Sequence, residues 1–314
     1  MLSKVQGQDE AVTLLRRVVE GHLRSPLLLV GNEGVGRKFS ALQAVKEVFS
    51  GGDSSSNFCL QVDQLLHPDL TLITPEGDKE IGVDTVREVL RSAYNYPMFS
   101  TRRFFIVDGV DRMTSAASNA FLKTLEEPPA FTQFFLLAES SEAVLPTIRS
   151  RCGKLRYKRL SETFIVDTLK DLVSDPLIAR VYARLAEGSV GRAVQFFGSN
   201  RLQLRDRSFS LLKTCLSKDL SSIFASVDGF DKDLKLALHF LDLLLYDLLM
   251  LPHAPDRIVN LDLANELGVV RSQLGDARLR TILRVLKTVK QRMRSAKVSL
   301  PFQVKAALGT TFSE

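Results

Sequence analysis

Short apolar runs alternate with amphipathic stretches over the first half of the chain, and the alternation stops near residue 160. PLLLV (Pro26 to Val30), RRFFIVD (102–108) and FTQFFLLAE (131–139) are apolar enough to be strands buried on both faces. HPDLTLITPEG (67–77) predicts one more. The segments between them carry apolar residues at helical spacing. The first 20 or so residues predict an amphipathic helix, and FSALQAVKEVF places Leu42, Val45 and Phe49 on one face before Gly51 and Gly52 stop it. VDTVREVLRSAYNYP (83–97) predicts a helix ended by Pro97, residues 114–127 another, and GGDSSSNF (51–58) a run of turns. Strands alternating with helices in this way predict an α/β module built on a parallel sheet.

Beyond residue 160 the strand signals fade. SETFIVDTLKDLV, DPLIARVYARLAEG and GRAVQFFG predict a small helical unit, and the long segments from 201 to 314 all have helical period. Three domains are therefore expected: residues 1–158 as the α/β module, 159–200 as a small helical domain, and 201–314 as an all-α domain. LKLALHFLDLLLYDLLMLP (234–252) carries Lys235, His239, Asp242 and Asp247 near one narrow stripe, the pattern of a buried helix rather than of a membrane span.

Charge and cysteine usage narrow the setting. The net charge of +6 is dispersed, so it permits an acidic partner or nucleic acid without pointing to either. Cys59, Cys152 and Cys215 lie far apart with no CxxC pair, against both a zinc module and a disulfide framework. The N-terminal MLSKVQGQDEAV lacks a signal-peptide core. A cytoplasmic chain with no membrane attachment and no metal is expected.

The candidate chemistry begins at GNEGVGRKFS (31–40), directly after the first strand. Its spacing is that of a phosphate-binding loop, with Gly31 and Gly36 as the two fixed glycines and Gly34 between them. In that pattern a lysine reaches the terminal phosphates and a hydroxyl ligates Mg2+. Here Arg37 stands for the lysine and Lys38 for the hydroxyl. An ammonium cannot ligate a cation, and a guanidinium is no equivalent of a compact ammonium in a tight loop. Asp108 ends an apolar strand where a carboxylate would hold Mg2+ through water, but the residue after it is Gly109, not an acid able to orient the attacking water.

NAFLKTLEEPPAFTQFFLLAESSEAVLPTIRSRC (119–152) is the most specific stretch. Arg151 follows a helical segment and precedes GKLRYKRL, an element edge from which a side chain can project outward. Together with HPDL (67–70), the altered loop and GSVGRA (188–193), this region resembles the DNA polymerase III clamp-loader family, and within it the delta prime branch with its degenerate nucleotide site. The resemblance covers most of residues 1–200. It implies an AAA+ module, a lid and a helical collar that holds five subunits together. It further implies that Arg151 of the Ser-Arg-Cys motif acts in trans as an arginine finger on a neighbour's ATP, and that Arg192 stands at the sensor-2 position, where an interdomain ion pair explains it equally well. Ser140 falls near sensor 1, although Glu139 beside it would repel phosphate.

The implied partners are gamma/tau and delta subunits in a hetero-pentamer, with the sliding clamp and primed DNA reached through the complex. No cofactor is expected to be required by this chain, ATP being bound by its partners. Any nucleotide contact of its own would come from Gly31, Gly34, Gly36, Arg37, Lys38, Asp108 and Arg192. The alternative is a gamma/tau-like ATPase in which Arg37 still binds phosphate and Asp108 or Asp111 supplies the metal and water contacts. The basic stripe Arg280, Arg284, Lys287 and Arg294 reads as a solvated helix face more readily than as a DNA contact, since no aromatic residue accompanies it. Leu279, Ile282, Leu283, Leu286 and Val289 fit a collar interface and internal packing equally.

Overall fold

The computed structural model describes residues 1–77, 79–199, 201–216, 219–230, 233–292 and 304–305. The chain forms two compact units: Met1–Phe164 with Gly188–Arg192, and Ile165–Glu187 with Ala193–Glu314.

The first unit is a five-stranded parallel sheet. Its strands are β1 (Leu27–Val30), β2 (Leu70–Ile73), β3 (Arg103–Asp108), β4 (Thr132–Ala138) and β5 (Gly153–Arg156), in the order β2-β3-β4-β1-β5. All seven residues of β4 are buried, as a strand covered on both faces requires. On one face Leu27, Leu29, Phe104, Ile106, Phe135 and Leu137 pack with α1 (Asp9–Val19), α2 (Arg37–Ser50) and α3 (Asn57–Asp63). Alternate residues Leu28, Phe105, Val107, Phe134 and Leu136 pack with α4 (Val83–Ala93), α5 (Ser115–Glu126) and α6 (Pro146–Arg149). The period-2 alternation of each strand thus feeds two separate cores.

Several elements differ from the sequence reading. β5 was not foreseen, because GKLR exposes Lys154 and Arg156 and buries only Leu155. The turn-rich stretch 51–58 gives way to α3, which Ser56 caps through its hydroxyl and the Phe58 N–H. The helix expected to run to Pro97 ends at Ala93. The loop beyond it is pinned by Asp69, whose carboxylate accepts the N–H groups of Met98, Phe99 and Ser100 at 2.7, 2.8 and 3.0 Å.

The second unit is helical. α7 (Glu162–Leu169) begins at its boundary, and α8 (Pro176–Leu185), α9 (Val190–Gly198), α10 (Arg201–Leu216), α11 (Leu220–Asp228), α12 (Leu234–Met250), α13 (Ala264–Leu274) and α14 (Asp276–Arg292) follow. Leu238, Leu241, Leu244, Leu245 and Leu248 of α12 lie in one core with Leu279, Ile282 and Leu286 of α14, and Leu283 packs against it. Internal packing therefore accounts for this stripe; the side chain of Val289 lies outside the described residues, as does Arg294. Asp247, on the polar stripe of α12, is fully buried, and it accepts the Val259 and Asn260 N–H groups at 2.7 and 2.8 Å and the Asn260 amide at 2.7 Å. Arg205 is likewise buried, with its guanidinium bidentate on Asp262 at 2.7 and 2.7 Å and also bonded to Asp206. Among the described residues no helix is long and apolar enough to cross a membrane.

Candidate functional site

The register of the sheet fixes what its two edges carry. Val30 pairs with Ala138, and Asp108 with Leu137, so Gly31, Asp108 and Glu139 emerge together at the C-terminal edge. In open parallel sheets this is the edge where ligands bind. The loop after β1 turns through Gly34 (φ 73°) and Gly36 (φ 102°), conformations that favour glycine, and α2 begins directly at Arg37. The expected strand, loop and helix are all present, with the helix N-terminus placed as in an anion-binding loop.

The side chains on this frame do not complete such a site. Arg37, at the first position of α2, is buried (8 % exposed). Lys38 Nζ lies 3.8 Å from Asp108 Oδ2, so the residue in the hydroxyl position is ion-paired with the carboxylate expected to hold metal. Asp111 Oδ2 accepts the Glu139 N–H at 2.9 Å and thereby ties the end of β4 to the turn after β3. Ser140 donates its hydroxyl to Glu142 at 2.8 Å. Gly109 has φ 100°, and the left-handed turn there suits a residue without a side chain. Ser40, on the first turn of α2, shares a short hydrogen bond with the Tyr157 hydroxyl, and burial pushes that hydroxyl's pKa up to about 12.

Residues 188–192, which belong to the first unit, pack on the loop through their main chain. Gly191 donates its N–H to the Gly34 carbonyl at 3.0 Å, and buried Ser189 accepts the Arg192 N–H at 3.0 Å. A Cβ on Gly191 would come within 2.9 Å of Gly34 Cα, and one on Gly34 would collide with the Ser189 hydroxyl. The structure thus brings the backbone of Arg192 to the loop. The sequence reading weighed only the arginine and missed Ser189 and Gly191, for which the paired glycines of GSVGRA and GNEGVG were the available signal.

Arg151 lies elsewhere. It stands two residues before Gly153, which pairs with Leu27 at the beginning of β1. Gly31 follows the other end of that four-residue strand, so Arg151 and the loop belong to opposite edges of the sheet, with the length of β1, about 13 Å at roughly 3.3 Å per residue, between those edges. The Arg151 side chain, 31 % exposed, donates to the Thr147 carbonyl at 3.0 Å and meets Glu126 Oε2 at 3.5 Å. Glu126 ends α5 inside the LEEPP stretch, and its contact with the arginine was not foreseen. Cys152 beside it is mostly buried, which pushes its thiol up to about 12.

A loop of this pattern implies a nucleotide with Mg2+. The donors present do not fit that pair: Lys38 offers no lone pair, its ammonium lies against Asp108, and the acid that would orient water is glycine. Among the described residues no cluster of three or more His, Cys, Asp or Glu side chains could hold a metal ion.

Strand order 2-3-4-1-5, a glycine loop between β1 and α2, an acidic end to β3 and a helical second unit define an AAA+ type fold with altered nucleotide chemistry. The crystal structure of a DNA polymerase III gamma subunit-related protein from Thermotoga maritima shares this fold, with a TM-score of 0.60 at 20 % identity over 96 % of this chain and 98 % of that one. Residues 7–161 match the family described as DNA polymerase III, delta subunit. Over 234 residues the chain is 32 % identical to DNA polymerase III subunit delta′ of Escherichia coli K12, covering 73 % of this chain and 69 % of that protein. The same-named subunit of Haemophilus influenzae is 36 % identical over 156 residues, 48 % of each chain. The chain belongs to the DNA polymerase III delta′ family.

Proposed function

We propose that this chain is a clamp-loader subunit that hydrolyses no ATP itself and lends Arg151 to the ATP site of an adjoining gamma/tau-type subunit. The observation that carries the reading is the division of the sheet. Its own loop edge has lost the lysine, the hydroxyl and the acid, while the arginine stands at the opposite edge, out of reach of that loop. A guanidinium placed beside a transferring phosphoryl group stabilises the charge that develops on its oxygens. Such a residue is of use to this chain only through a neighbour.

In this reading residues 1–158 are the AAA+ module, 159–200 a lid and 201–314 a collar. The partners are gamma/tau and delta subunits in a hetero-pentamer, which opens a sliding clamp and loads it on primed DNA in the cytoplasm. Names of relatives support the clamp-loader role, and the altered loop supports the absence of turnover.

Steady-state ATP hydrolysis tests it, first with the purified chain and then with the complex reconstituted from gamma/tau and delta subunits, wild type against Arg151→Ala. An arginine finger is worth on the order of 10³-fold or more at the site it serves. The chain alone gives no turnover, and the complex carrying Arg151→Ala assembles normally but loses that site's share of hydrolysis. Turnover proportional to the isolated chain, or an unchanged complex, would sink the reading.

A further inference from the structure

We propose that Lys38 is the resident cation of the altered loop: its ammonium occupies the place at Asp108 that a divalent ion would take, and the loop thereby excludes that ion. This deepens, and rests on, the reading that the chain does not hydrolyse ATP.

Two of the loop pattern's positions exist to hold Mg2+, the hydroxyl at the start of the helix and the carboxylate ending the acidic strand. Here both are present as a pair, Lys38 and Asp108, with Nζ and Oδ2 3.8 Å apart. The ammonium brings three donors and no acceptor, so it cannot become a ligand. It can supply what the ion would otherwise supply to the carboxylate, a positive charge.

The surroundings act in the same direction. Arg37, next in sequence and buried, places a second positive charge at the head of α2, where the helix itself contributes partial positive charge. Asp111, the other carboxylate of the turn after β3, is engaged with the Glu139 N–H. A divalent ion arriving at Asp108 would meet a carboxylate already paired with one cation, at the N-terminal end of a helix whose first residue carries another. Its repulsion from each scales with its double charge. The side chains of the pair are 40 % and 29 % exposed, so solvent ions can reach the carboxylate and exclusion rests on charge rather than on access.

The test uses Mn2+, whose paramagnetism broadens backbone amide signals near a bound ion even when binding is weak. The full chain is titrated with Mn2+ while amide spectra are recorded for wild type, Lys38→Thr, Lys38→Met and the double variant Lys38→Thr/Asp108→Asn. Wild type shows no selective broadening at Gly36, Asp108 and Gly109. Both single variants gain it, with apparent affinity raised about tenfold or more by removal of the like charge, and Asp108→Asn abolishes the gain. Selective broadening in wild type equal to that of the variants would overturn the proposal, as would its absence from both single variants. Two different replacements guard against one of them misfolding. ATP hydrolysis by the same wild-type sample reports separately: turnover there would overturn the reading of the chain as inactive, whatever the Mn2+ result.

Discussion

Arg151 and Glu126 join the end of α6 to the end of α5, guanidinium to carboxylate at 3.5 Å. The pair is partly exposed, and pairs of that kind contribute about 0–1 kcal/mol. Glu126→Gln is therefore expected to move the thermal midpoint of the chain by no more than about 4 °C, as scanning calorimetry would show. In the reconstituted complex the same change leaves the arginine in place, so ATP turnover is expected to be unchanged or raised. A loss equal to that of Arg151→Ala would mean that the carboxylate is needed alongside the arginine.

Asp69 yields a pH-dependent prediction. Burial pushes its carboxyl up, but the N–H groups of Met98, Phe99 and Ser100, with the nearby His67, outweigh burial and hold it below the ordinary carboxylate range. A carboxyl depressed on folding stabilises the fold above its unfolded pKa of about 3.9 and loses that contribution as pH falls through the folded value. Asp69→Asn should cost about 1–3 kcal/mol at pH 7, with the gap to wild type closing as pH is lowered below about 4. Denaturant midpoints measured from pH 7 down to pH 3 check it; a gap constant with pH would contradict it.

In the helical unit, buried Arg205 is bidentate on Asp262, whose side chain is 15 % exposed. Removing one partner of such a pair strands the other, and Asp262→Ala is expected to destabilise that unit by about 3 kcal/mol. Asp206, already bonded to Arg205, keeps the loss from being larger. Urea unfolding followed by circular dichroism measures this. Replacing both residues by apolar ones of similar volume should cost less than the single change.

Thiol chemistry gives a fourth check. Burial pushes Cys152 and Cys215 up to about 12. At pH 8 only about one such thiol in ten thousand is ionised, and the thiolate is the reactive form. Iodoacetamide at pH 8 should leave both unmodified in the native chain and modify both in urea, read by peptide mass spectrometry. Rapid native alkylation of Cys152 would show that the segment around Arg151 opens readily.

What the sequence disclosed was decided by how far local pattern and tertiary context agree. Strands β1, β3 and β4 were legible because they are buried on both faces and read as continuous apolar runs. β5 was not, since an edge strand that buries only Leu155 leaves no periodic signal over four residues. The loop was legible from glycine spacing alone, and the structure adds why Gly34 must be glycine: Gly191 and Ser189 lie against it. The ion pair between Lys38 and Asp108 joins residues 70 positions apart, and no local pattern announces it. The same holds for Asp69, whose HPD context was noted only as a likeness, whereas its task is to anchor a loop about 30 residues downstream.

β1 sets the loop edge and the arginine edge only four residues apart. On the proposed function, each module of a ring presents its arginine edge to its neighbour's loop edge, and a ring of identical modules would close on itself with all joints equivalent. A member that gives an arginine but has a lysine seated in its own loop breaks the repeat. On the function proposed here, the joint at its loop edge has no nucleotide to clasp, and the ring acquires a seam: a start and an end, and one place already set apart from the rest for opening.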